Sequence, residues 1–247
     1  MKIVGERKVK IAYFDCFSGV SGDMLLAAFI DLGLPLEQLS KELSSLGLDE
    51  FHLEASRVSK CGIFGTKLNV VVHENGHHHH RHLGEIVGII GRSGLDDWVK
   101  DKSIKIFENI AAAEGRIHNL PADKVHFHEV GAVDSIVDVV GSVLAVRLLE
   151  IERVYSSPLP MGRGFVSTAH GMVPLPAPAT AELLKGVPVH WVNSEKELVT
   201  PTGAAILAVL VSEFGYFPPV RWERIGYGCG NSDRKVPNML RIFTGWS

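Results

Sequence analysis

The sequence holds only three cysteines, Cys16, Cys61 and Cys229, far apart and with no CxxC pair among them. That excludes a disulfide framework and a thiolate zinc site, and suits a reducing compartment. No apolar run reaches the roughly 18–20 uninterrupted residues of a membrane span. The N-terminal MKIVGERKVK is too polar for a signal-peptide core. A cytoplasmic protein without a membrane partner is expected. An excess of basic residues is also missing. The formal net charge is −3, and no basic stripe is interleaved with aromatics. A partner bound through neutralised phosphates, such as nucleic acid, is therefore not expected. The chain shows no internal repeat and no clear linker, and 46% hydrophobic residues can supply a core, so one domain over residues 1–247 is expected.

Two familiar signatures are incomplete. The loop Ser18-Gly19-Val20-Ser21-Gly22-Asp23 lacks both the GK[ST] ending and the GxGxxG spacing of nucleotide loops. His128-Glu129 is not followed by the second histidine of a zinc-protease helix, because position 132 is alanine.

The pattern of elements predicts mixed α and β structure, with helices packed on a mostly buried sheet of unknown order. Strands are expected at Val9–Asp15, Phe51–Val58, Thr66–Val72, around Val154–Ser156, at Val187–Val192 and as a pair within Arg221–Phe243. Helices are expected at Met24–Leu34, Leu36–Leu46, Leu83–Arg92, Ile104–Ile117, Asp134–Glu150, Thr180–Leu184 and Thr202–Phe214. The stretch Ser157–Pro178 is too rich in proline and glycine for a regular helix and reads as a loop lining a site.

Chemistry concentrates in HFHEVGAVDSIVDVVG, residues 126–141. An extended backbone sends His126 and His128 to one side, and Glu129 follows before the turn at Gly131. Asp134 and Asp138 are four apart on a helix and share a face. The group suits a metal site or a general acid and base, with a buried hydrogen-bond network as the plainer reading. Six of the ten residues from His73 to His82 are histidine, namely His73, His77, His78, His79, His80 and His82. Such an imidazole-rich loop suits Ni2+, Zn2+ or Cu2+, for capture more than for catalysis. Ser18, Gly19, Ser21 and Gly22, between a strand and a helix, can offer N–H groups and hydroxyls to an anion, while Asp15 and Asp23 can hold a metal. Ser21 or Asp23 can equally cap the helix. Thr202 can cap its helix or meet an anion, and Arg234 can neutralise a phosphorylated ligand.

Together DCFSGVSGDM (15–24), the histidine-rich loop, HFHEVGAVDSIVDVVG, HGMVPLPAPAT (170–180), ELVTPTGAAI (197–206) and GYGCGNSDRKVPNMLR (226–241) resemble the nickel-insertion protein family LarC. The resemblance runs in order over nearly the whole chain. It implies insertion of Ni2+ into pyridinium-3,5-bisthiocarboxylic acid mononucleotide, with two nickel–sulfur bonds and one nickel–carbon bond formed in a CTP-dependent cyclometallation assisted by Mn2+ or Mg2+. Since such a reaction needs a metal holder and a base, His126, His128, Glu129 and Asp134 are expected to line the reaction site, one of them as base, with Asp15 and Asp23 nearby. The loop His73–His82 would deliver nickel, and Ser18, Gly19, Ser21, Gly22, Thr202 and Arg234 would meet the anionic substrate. Members of the family usually continue past the point where LRIFTGWS ends this sequence, into a C-terminal CTP-binding domain. The chain is thus expected to correspond to their N-terminal part, with a separate polypeptide as a possible partner. Two further readings stay open: a nickel chaperone or store without catalysis, and a metal-dependent hydrolase built on HxHE.

Overall fold

A computed structural model describes residues 8–48, 51–72, 81–127, 130–168 and 171–247. The expected roles of His73, His77, His78, His79, His80, His128 and Glu129 lie outside the described residues. In chain order the first elements are β1 (Lys10–Asp15), α1 (Gly22–Asp31), α2 (Leu36–Ser44), β2 (Phe51–Lys60), β3 (Ile63–Val72), α3 (Leu83–Arg92), α4 (Asp97–His118) and α5 (Val133–Leu148). There follow β4 (Arg153–Ser156), β5 (Leu159–Met161), β6 (Phe165–Thr168), β7 (Gly171–Pro174), α6 (Pro178–Leu183) and β8 (Val189–Trp191). The last are α7 (Pro201–Leu210), β9 (Glu213–Phe214), β10 (Arg221–Cys229) and β11 (Met239–Trp246).

The fold is mixed α and β. A seven-stranded sheet runs in the order β2-β3-β10-β11-β1-β4-β9. β1 is antiparallel to β11 and parallel to β4, a register that sets Asp15 opposite Arg241. Alternation along β1 sends Ala12 and Phe14 into the helix-covered core, while Tyr13 stacks on Phe217 at 3.9 Å. α1 lies across β10 at backbone contact: a methyl on Gly228 would sit 1.9 Å from the Met24 carbonyl oxygen, and one on Gly226 2.2 Å from that of Ala28. Gly226 and Gly228 of GYGCG therefore serve helix packing, while a methyl on Gly230 would meet the Asn238 side chain at 2.6 Å. α5 is apolar on nearly all sides, burying Ile136, Val137, Val139, Val140, Val143, Leu144 and Val146, as a helix enclosed between neighbours must. It packs against α1, α2, α4 and α7.

Several boundaries differ from the sequence pattern. β2 and β3 run on to a two-residue loop, Cys61-Gly62, with φ of 52° and 84°, positive at both positions as tight hairpins prefer. α4 begins at Asp97, well before Ile104, because the Asp96 carboxylate accepts from the Val99 N–H at 2.9 Å and caps the first turn. α7 stops at Leu210 and leaves Glu213–Phe214 as an edge strand on β4. The expected loop at 157–178 instead holds β5, which pairs with β8, and the two-stranded ribbon β6–β7. Among the described residues no helix is long and apolar enough to cross a membrane.

Candidate functional site

The loop between β1 and α1 is tied to the segment before α7. The Gly19 N–H donates to Cys16 O at 2.9 Å, the Val20 N–H to Leu198 O at 2.8 Å, and the Thr200 N–H returns to Val20 O at 3.1 Å. Expected anion binding through Gly19 is thereby corrected, because its N–H is already spent inside the protein. Arg234 is engaged as well. Its guanidinium donates to Ser18 O (3.2 Å), Glu197 O (3.1 Å) and Ser232 Oγ (3.0 Å), so it clamps the two segments together and spends three of its five N–H donors inside the protein. Arg234→Ala is expected to cost about 1–3 kcal/mol in stability, since it orphans two carbonyls. Chemical denaturation checks this, and an unchanged midpoint would remove the clamp.

Asp15 is likewise engaged: Arg241 Nε donates to its Oδ2 at 2.8 Å, and Nη2 bonds the same oxygen. The Arg241 guanidinium also lies 5.3 Å from the Phe17 ring centre. Thr202 sits in the first turn of α7 without capping it. That role belongs to Thr200, whose Oγ1 accepts from the Gly203 N–H at 3.1 Å. Ser21 precedes α1 without a side-chain cap bond, and its hydroxyl instead donates to Asp23 Oδ1.

Where α1 starts against α5, Asp138 lies within the electrostatic reach of two further carboxylates. Asp134 and Asp138 share a face, as their four-residue spacing predicts, and both Asp134 and Asp23 act electrostatically on Asp138. A methyl on Gly22 would sit 2.6 Å from the Asp138 Cβ, so α1 begins directly on this side chain. Burial raises the Asp138 pKa well above the ordinary carboxyl range, the charges of Asp23 and Asp134 add to this, and the Asp23 N–H partly opposes it. Asp138 Oδ1 is sealed from solvent and has no hydrogen-bond partner among the described residues. Burial also raises the Asp23 pKa, against the hydrogen bonds from Ser21 and the Met24 N–H.

A cleft of about 610 Å3 opens between the C-terminal turn of α4, residues Val125, His126, Phe127 and Val130, the β6–β7 ribbon and the starts of α6 and α7. Its walls are apolar (Ile117, Leu120, Val125, Phe127, Val166, Val173), and Glu114, His118, His126, Ser167 and Glu197 supply polar groups. This is the make-up of a small-molecule site. Glu114 and His118, an i,i+4 pair 3.4 Å apart on α4, and Glu197 were not legible as site residues. Only their position on the cleft reveals them. Val125 and Phe127 are buried while His126 is exposed, the alternation expected of an extended strand. His126 stands beside His82, with ring centres 4.0 Å apart. Among the described residues no three His, Cys, Asp or Glu side chains gather as a metal-ligand set, so Asp15, Asp23 and His82 do not share one centre.

The family model described as nickel insertion protein matches residues 12–246. The chain belongs to the nickel insertion protein family. The pyridinium-3,5-bisthiocarboxylic acid mononucleotide nickel insertion protein of Desulfitobacterium hafniense strain DCB-2 is 52% identical over 96% of this chain and 58% of its own length. A relative from Dictyoglomus thermophilum is 50% identical over 96% of this chain and 61% of its own length. The chain thus spans about three fifths of the length of the curated relatives it matches. No solved structure matches it.

Proposed function

We propose that this chain performs the nickel and substrate handling of an insertase that places Ni2+ in pyridinium-3,5-bisthiocarboxylic acid mononucleotide. The observation that carries the reading is the 52% identity, across 96% of the chain, to a protein named for that insertion. The reaction forms two nickel–sulfur bonds and one nickel–carbon bond, and the ring carbon loses its proton, so the site needs an apolar seat for the ring, a route for the ion and a base. The cleft's apolar walls suit the ring. His126 at its edge, the adjacent His128 and Glu129, and Asp134 are the groups assigned to ion and proton. Ser18, Ser21, Gly22 and Thr202, around the starts of α1 and α7, are assigned to the phosphate.

CTP and Mn2+ or Mg2+ belong, in this proposal, to the part of the relatives that this chain does not span. The glycine loop does not fit them, because the Gly19 and Val20 N–H groups are consumed internally.

The test is equilibrium titration of the chain with the pyridinium mononucleotide, followed by the ligand's own absorbance. One saturable site is expected, weakened about tenfold or more by His126→Ala, which is about 1.4 kcal/mol. Binding of several Ni2+ per chain with no affinity for the mononucleotide would overturn the reading in favour of nickel storage.

A further inference from the structure

His82 and His126 come from two sequence features with no local connection: the last residue of the histidine run and the first of the HxHE motif. Their backbones form an antiparallel bridge, and their imidazoles lie 4.0 Å apart between ring centres at a tilt of 56°. Each backbone is held from its own side. The His82 N–H donates to Glu85 Oε2 at 2.8 Å at the start of α3, and Arg81 Nη1 donates to Gly131 O at 3.2 Å. His126 is fixed by the burial of Val125 and Phe127 on either side of it. The lack of a side chain at Gly131 keeps the two segments close, since a methyl there would lie 3.1 Å from Arg81 O.

From this geometry we infer that His82 and His126 form a two-nitrogen transfer site for Ni2+ at the edge of the cleft. The inference rests on the nickel-handling reading above. With metal–nitrogen bonds of about 2.1 Å, two imidazoles in cis positions on one ion hold their ring centres about 4.5 Å apart. To reach that separation with a nitrogen on the ion, the His82 ring gives up the bond it accepts from the Glu85 N–H in the capping box of α3. Imidazole nitrogens suit Ni2+, and each binds as the neutral ring, so any imidazolium proton leaves to solvent on binding. Two protein ligands also suit a transfer role. They leave other positions on the ion open, so sulfur donors of an incoming ligand can bind before the imidazoles leave. His126 lines the cleft, which puts the ion at the place where such a ligand would sit.

The test uses Ni2+ alone and the full chain carrying His73→Asn, His77→Asn, His78→Asn, His79→Asn and His80→Asn, which removes the other histidines of the run. Competition with a chromophoric chelator should show one Ni2+ per chain, and X-ray absorption at the nickel edge should show two imidazoles. His82→Asn or His126→Asn should each weaken binding about tenfold or more. The double variant should lose much less than the product of the two, as members of one site do. Circular dichroism and Tm establish that each variant is folded. His126→Cys keeps a ligand and should add a thiolate-to-nickel charge-transfer band, which serves if an Asn variant fails to fold. No bound Ni2+, a single imidazole, independent losses or no such band would each overturn the pair. No pyridinium ligand is used, so loss of mononucleotide binding with the pair intact sinks the proposed function alone. The converse result sinks the transfer site alone.

Discussion

Gly19→Ala is expected to destabilise the protein by about 2–6 kcal/mol, from two independent costs. Gly19 adopts φ +106°, a conformation that L side chains rarely adopt, and a methyl there would lie 1.9 Å from the Leu198 carbonyl oxygen. The contact is backbone against backbone, so no side-chain rotation relieves it. It also falls beside the Val20 N–H to Leu198 O bond, which joins the β1–α1 loop to the start of α7. Pro201 and Glu197 of that region line the cleft, so the damage should reach ligand binding as well as stability. Gly47→Ala is the control. Its φ is +65° but a methyl there meets nothing within 4 Å, so it pays only the backbone cost of about 1–2 kcal/mol. Urea midpoints with unchanged m-values separate the two variants. A Gly19→Ala chain no less stable than Gly47→Ala would refute the packing of this junction.

How much of this was legible in the sequence depends on the range of the forces involved. Short-range periodicity served well: α1, α3 and α5 and the hairpin of β2 and β3 lie close to where apolar spacing puts them, and Asp134 and Asp138 share a face for the same reason. α4 was cut short because DWVKDKS is too polar to show a period, although Asp96 was an available capping signal. The sheet order was out of reach. β1 pairs with β11 from the other end of the chain, and β5 with β8 across the β6–β7 ribbon, and neither partner leaves a trace in the local pattern. Among the site residues, the residue types pointed to chemistry but did not reveal competition for them. Asp15 and Arg234 are the groups one would choose for a metal and a phosphate, yet nothing in the sequence signals that Arg241 bonds the first or that the second donates to the carbonyls of Ser18 and Glu197. The meeting of His82 and His126 is the opposite case, an encounter that tertiary structure creates between two motifs that the sequence presents separately.

Asp138→Asn should stabilise the protein at neutral pH and remove part of its pH dependence. The sign follows from proton linkage. Folding raises the Asp138 pKa through burial and the neighbouring charges of Asp23 and Asp134, so between the unfolded and folded pKa values the folded chain holds more protons than the unfolded one. Stability from this group is therefore complete below the unfolded value, near pH 4, and is lost as pH rises through the folded value. Asparagine keeps the shape and carries no charge to bury. The substitution relieves the buried charge and not the position of Oδ1, which has no partner among the described residues and would hold an equally unpaired amide group, so the gain in Tm should appear only where Asp138 is ionised in the folded or the unfolded chain. The check is the difference in Tm between Asp138→Asn and wild type from pH 4 to pH 8. That difference should widen with pH, whereas an offset independent of pH would mean that Asp138 titrates alike in the folded and unfolded chains. Asp23→Asn supplies the second arm. Removing its charge lowers the Asp138 pKa, so the widening should be smaller in its presence, and the two substitutions should not add. A sum equal to the separate effects would show that the two carboxyl groups do not interact across the α1–α5 contact.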